Sequence, residues 1–156
     1  MIDVHEMRQS LQRLGEVSDW KFALGLHIRF ANPTLLYQTY PQEWMNFYTA
    51  NGLVFVDPTV KWAMTHTGIC DWSELADQDE SNVFGQAAEF GLRFGKAIAI
   101  GETSRSAGFF THPSRKIEDA EAEEARALLE ELHEMTKGVE SLPEGELERL
   151  RSELRF

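Results

Sequence analysis

The chain has 156 residues, 42% of them hydrophobic, which suits one domain with its own core and is too apolar for a disordered polymer. Acidic residues outnumber basic ones 26 to 15, for a net charge of −11. That balance argues against direct nucleic-acid binding and against docking on an anionic membrane, since both rest on Lys and Arg.

The single cysteine, Cys70, rules out an intrachain disulfide and a multi-cysteine zinc site. The five histidines are scattered, without an H-E-x-x-H pair. The N-terminus "MIDVHEMRQSLQRLG" is amphipathic and charged, with no apolar signal-peptide core, and no window is long enough to span a membrane. The expected compartment is the cytoplasm.

Val4, Met7, Leu11 and Leu14 repeat at three- and four-residue steps and predict a first helix ending at Gly15. In "KFALGLHIRF", Phe22, Leu24, Leu26, Ile28 and Phe30 alternate with Ala23, Gly25, His27 and Arg29. That is a strand with one strongly apolar face. The small residues Ala23 and Gly25 on the other face leave room for something to lie against the backbone. "ANPT" reads as a loop. Pro41 suits the first turn of a helix running to about Asn51, with Gly52 as its stop. Asp57 and Pro58 read as the N-cap and first position of another helix. A further helix is expected from about Ser81 to Phe90, then two strands joined by a polar turn in "KAIAIGETSRSAGFFTH". Ile117, Ala125, Leu128, Leu129, Leu132 and Met135 mark a long helix capped by Gly138. The acidic tail from 139 to 156 has room for one more. This order predicts a single α+β domain of helices layered on an antiparallel or mixed sheet.

The stretch "YPQEWMNFYTANGLVFVDPT" raises the functional question. At a spacing of four, Tyr40, Trp44 and Tyr48 share one helical stripe. Such stripes usually fill cores, and Asp57 can be explained as a helix cap alone. Together they have a second meaning. Indole N–H only donates, a carboxylate only accepts and a phenol does either, so the set can clamp a small amphipathic molecule carrying carbonyls and an amide. Cys70 with His66 is the other candidate pair, a thiol and a base four residues apart, but no third group is evident to orient them.

The connected pattern "YPQEWMNFYTANGLVFVDPTVKWA", "CDWSEL", "AAEFGLRFGKAIAI" and "SAGFFTH" resembles the autoinducer-binding domain of LuxR-type quorum-sensing regulators, over roughly Lys21 to Gly138. The resemblance implies an α-β-α sandwich with a central, mostly antiparallel sheet of about five strands. The implied ligand is an N-acyl-homoserine lactone, with no metal and no other cofactor. Trp44 would donate to its lactone carbonyl, Asp57 would accept its amide N–H, and Tyr40 would bond the acyl carbonyl together with Thr111. Trp72 and Tyr48 would pack around the lactone. The implied binding set is Tyr40, Trp44, Tyr48, Asp57, Thr59, Trp72 and Thr111.

Three departures stand out. Leu53 replaces a common aromatic and is expected to widen the pocket or shift chain-length preference. Lys96 and Ala99, near the sheet, are expected to alter the tail's path. Relatives continue into a helix-turn-helix domain, which "LPEGELERLRSELRF" resembles only at its beginning. Two partners are therefore expected besides the signal: a second copy of this chain, or a full-length LuxR-type regulator that it would pair with and inhibit.

Overall fold

The computed structural model describes residues 2–29 and 32–154. The alternation in "KFALGLHIR" builds β1 (Lys21–Arg29), which pairs on one side with β2 (Asn32–Gln38) and on the other with β5 (Arg105–His112). β4 (Phe94–Ile100) and β3 (Gly68–Asp71) complete a five-stranded sheet of order β2-β1-β5-β4-β3, antiparallel throughout. Helices α1 (Val4–Val17), α5 (Asp119–Met135) and α6 (Glu144–Glu153) cover one face. Helices α2 (Gln42–Ala50), α3 (Pro58–Thr65) and α4 (Val83–Glu89) cover the other. The chain thus forms the expected α-β-α sandwich.

Several expected boundaries move. α1 runs through Gly15 to Val17; Asp3 caps its start, accepting from the N–H groups of His5 and Glu6 at 2.9 and 3.2 Å. "NPT", expected as loop, opens β2, where Pro33 is tolerated because this is an edge strand. β3 has only four residues, too few for a periodicity to declare itself. α4 begins at Val83 and is capped from a distance by Asp79, whose carboxylate accepts from Val83 and Phe84 N–H at 2.8 and 2.9 Å. Phe30 and Ala31, and the final Arg155 and Phe156, lie outside the described residues.

The strict alternation expected for β1 also breaks. Its pairing with β5 shifts register between Gly25 and Ile28, and His27 takes a left-handed backbone, φ +54°. His27 therefore turns toward α5 and is buried there. Its Nε2 lies 3.0 Å from Thr136 Oγ1 and 3.1 Å from the His133 carbonyl, while its Nδ1 lies 2.7 Å from Ser104 Oγ and 3.3 Å from Glu140. Ile28, expected on the same apolar face as Leu26, faces the opposite layer.

The closed core lies under α1, α5 and α6. Met7, Leu14, Leu24, Leu129 and Leu132 are fully buried in it. Residues 139–154 pack onto the same core. Val139, Leu147, Leu150 and Leu154 are buried, and Arg151 Nε donates to the Thr34 carbonyl at 3.0 Å. Removing the Leu150 side chain beyond Cβ deletes a buried cluster member. Leu150→Ala should cost about 2–4 kcal/mol of unfolding free energy by urea titration. A cost below roughly 0.5 kcal/mol, the range of neutral surface substitutions, would show that α6 does not dock.

Candidate functional site

The other face of the sheet is not filled. A cavity of about 220 Å³ lies between the strands and the α2–α3–α4 layer. Its floor is the small face of β1, Ala23 and Gly25, with Phe109 of β5 beside it. Six of the seven expected site residues line it: Tyr40, Trp44, Tyr48, Asp57, Thr59 and Trp72. Thr111 does not. It is fully buried on β5, donates to the Lys21 carbonyl at 3.2 Å, and stands behind Tyr40.

Local sequence explains how these groups meet. Tyr40 sits at the corner between β2 and α2, one residue before Pro41, rather than on the helix itself. α2 then points Trp44 and Tyr48 inward, with their rings in edge contact at 5.6 Å. Asp57 is both the cap and a wall of the cavity. Its Oδ1 accepts from Thr59 N–H at 2.9 Å and from Thr59 Oγ1 at 2.7 Å, while its Oδ2 accepts from the Tyr48 hydroxyl at 2.8 Å. A carboxylate has about four acceptor positions, so one remains on Oδ2.

The donors divide in the same way. The Tyr40 hydroxyl donates to the Phe109 carbonyl at 3.1 Å and must exchange that bond to donate elsewhere. Trp44 is 4% exposed and lines the cavity. Trp72 stacks on Phe84 at 4.9 Å, and its indole N–H is buried without a partner. The Trp72 ring lies directly over Gly95, where an added Cβ would come within 2.3 Å of it. Burial pushes the Asp57 carboxyl up, opposed by its bonds from Thr59 and Tyr48. Burial, then the Asp57 charge, pushes both Tyr48 and Tyr40 up.

Sequence reasoning did not find most of the apolar wall. Pro33, Leu36, Met45, Val54, Val60 and Met64 line it, as does Ile28, which the β1 bulge delivers. Their only signal was the expected elements themselves, without knowledge of which face turns inward. The three departures sit elsewhere. Leu53 and Ala99 are buried in packing clusters beside the cavity rather than in its wall. Lys96 pairs with Asp119 at 3.2 Å and Asp71 at 3.8 Å and is not among the residues that line the cavity. Cys70 is buried and its thiol is pushed up to about 11, first by burial and then by Glu74, the reverse of an activated nucleophile. The His66 ring stacks on Trp62 at 5.8 Å. Among the described residues no group of His, Cys, Asp and Glu is placed to hold a metal ion, and no helix is long and apolar enough to cross a membrane.

A two-faced sheet with one closed core and one hollow, largely apolar but with a few polar groups in its wall, is the architecture of a small-molecule receptor domain. The chain belongs to the autoinducer-binding domain family of LuxR-type quorum-sensing regulators, whose family model matches residues 21–137. It is similar to the transcriptional activator AhyR of Aeromonas hydrophila, 32% identical over 88 residues, covering 52% of this chain and 34% of that protein. It is also similar to the transcriptional activator LuxR of Aliivibrio fischeri, 23% identical over 122 residues, covering 74% of this chain and 49% of that one. The chain thus spans a third to a half of the length of these relatives. Escherichia coli SdiA shares the fold: its complex with octanoyl-rac-glycerol superposes with a TM-score of 0.64 at 20% identity, over 87% of this chain and 60% of that one.

The shifted phenols give a pH dependence with a definite sign. Below the ordinary tyrosine value of 10.0, Tyr40 and Tyr48 are protonated in the folded and the unfolded chain alike. Above it, the unfolded chain loses these protons while the fold retains them, so stability falls as pH rises. Each phenol contributes about 1.4 kcal/mol per pH unit in that window. Urea midpoints at pH 9, 10 and 11 should fall more steeply for the wild type than for Tyr48→Phe. Equal slopes would show that Tyr48 is not held in a protonated, desolvated state.

Proposed function

We propose that the cavity binds an N-acyl-homoserine lactone or a closely similar acylated signal, and that this binding is the domain's role as a quorum-sensing receptor. One observation carries the reading. In an otherwise apolar hollow, the Trp44 indole, the buried and unpartnered indole N–H of Trp72 and a spare acceptor position on Asp57 line the same space. A head group with a ring carbonyl and an amide N–H supplies the complementary acceptor and donor. Tyr40 answers a second carbonyl once it gives up Phe109. The apolar wall then takes the acyl chain. The octanoyl compound bound in SdiA supports an acylated, amphipathic guest for this fold.

Any effect on transcription would follow by coupling this ligand equilibrium to a DNA-binding element, on this chain or on a dimer partner of the same family.

Ligand that binds only the folded state stabilises it by about 2.7 kcal/mol at a hundredfold excess over Kd. A thermal-shift series with acyl-homoserine lactones should therefore raise Tm. Trp44→Phe keeps the ring packing and deletes one donor, so affinity should weaken about three- to tenfold. An unchanged affinity in Trp44→Phe would remove the indole from the binding set, and no shift with any lactone would sink the reading.

A further inference from the structure

Residues 139–154 do more than cover the closed core. They grip the sheet at two points. The first is the β1 bulge. Glu140, its side chain 13% exposed, places Oε1 3.3 Å from His27 Nδ1; its Oε2 accepts from Ser104 Oγ at 3.0 Å and lies 3.6 Å from Arg29 Nε. The second is β2. Arg151 Nε donates to the Thr34 carbonyl at 3.0 Å, while its Nη1 lies 3.8 Å from Glu144 and 3.9 Å from Glu148 of its own helix. The two grips meet, because Thr34 Oγ1 donates to the His27 carbonyl at 2.7 Å.

Beside the gripped residues lies the cavity. Ile28 follows His27, Pro33 precedes Thr34, and the two are cross-strand partners that both line the hollow. They also crowd its floor: a Cβ added to Gly25 would stand 3.1 Å from Pro33 Cβ and 3.3 Å from Ile28 Cδ1. Close packing of this kind transmits a displacement rather than absorbing it. His27 holds a left-handed backbone, φ +54°, which a residue with a side chain adopts only where its surroundings enforce it. Glu140 is one of the groups in contact with that ring.

We propose that Glu140 and Arg151 are positioning residues for the cavity: through His27 and Thr34 they set Ile28 and Pro33, so that docking of residues 139–154 and occupancy of the cavity favour each other. This rests on the reading of the cavity as an acyl-signal site. Neither Glu140 nor Arg151 lines the cavity, so both act on the guest only through its wall. Coupling between two equilibria is reciprocal: the guest tightens the segment by the same factor that the segment tightens the guest.

The test uses the tightest binder among N-hexanoyl-, N-octanoyl- and N-dodecanoyl-homoserine lactone. Dissociation constants are measured by titration calorimetry on the full chain, with urea unfolding of each variant alongside. Glu140→Ala and Arg151→Ala should each weaken binding about three- to tenfold. Arg13→Ala is the control. It removes an exposed pair with Glu131, 2.8 Å long, between α1 and α5 on the same face, and should leave affinity unchanged. A second arm needs no variant to fold. In the wild type, saturating lactone should slow amide hydrogen exchange in α6 by about three- to tenfold beyond any slowing in α1. Unchanged affinity in both variants, with or without lost stability, would make the two residues supports of the fold alone and overturn the inference. So would a loss matched by Arg13→Ala, or exchange slowed equally in α6 and α1. Binding of none of the three lactones to the wild type would sink the receptor reading itself, and this inference with it.

Discussion

The Asp57 carboxylate ties the cavity together. Through Oδ1 it starts α3, and through Oδ2 it holds Tyr48 of α2, so two of the three helices that roof the cavity share one acid. A buried carboxylate is costly unless it is well supplied with donors. Here three donors reach it, two from its own helix start and one from a phenol that burial keeps protonated. The capping role and the ligand-facing role are therefore not competitors. The cap fixes the carboxylate in the cavity wall, and the arrangement leaves one acceptor position on Oδ2 unused.

That hollow is a deliberate weakness in the packing. Voids in protein interiors forfeit about 24 cal/mol for each Å³ left unfilled. The closed face under α1, α5 and α6 must hold the fold by itself, and there Met7, Leu14, Leu129 and Leu132 have no exposed surface. A ligand that fills the other face restores the missing packing. For a ligand that binds only the folded state, binding and folding would then draw on one free energy.

Much of this was legible in the residues. The α1, α5 and β1 patterns have clear periods, and the Asp57–Pro58 start of α3 has a mechanism of its own. The aromatic stripe with Asp57 was legible as an ambiguous set, and the structure places Asp57 both at the start of α3 and in the cavity wall. What stayed hidden depends on contacts distant in sequence. β2 hides behind the loop signature of "NPT", and β3 is a four-residue strand that exists because β4 offers it a ladder. The β1 bulge cannot be read from alternation, since His27 and Ile28 obey the pattern that their backbone then breaks. For the same reason the apolar half of the site escaped. Its side chains come from five elements, and none is distinctive alone.

The bulge also explains how a rigid face can shape a yielding one. At one point in β1 the backbone sends His27 into the closed side and Ile28 into the hollow. On the closed side His27 is held by Thr136, the His133 carbonyl, Ser104 and Glu140. Ser106, on the neighbouring strand, adds a bond to the His27 backbone N–H at 3.1 Å and another to His133 at 2.6 Å. Hydrogen bonds are directional, so this network sets the backbone more sharply than apolar packing would. Ile28 inherits that precision without any directional bond of its own. The floor of the cavity is positioned from behind, by groups that lie outside its lining.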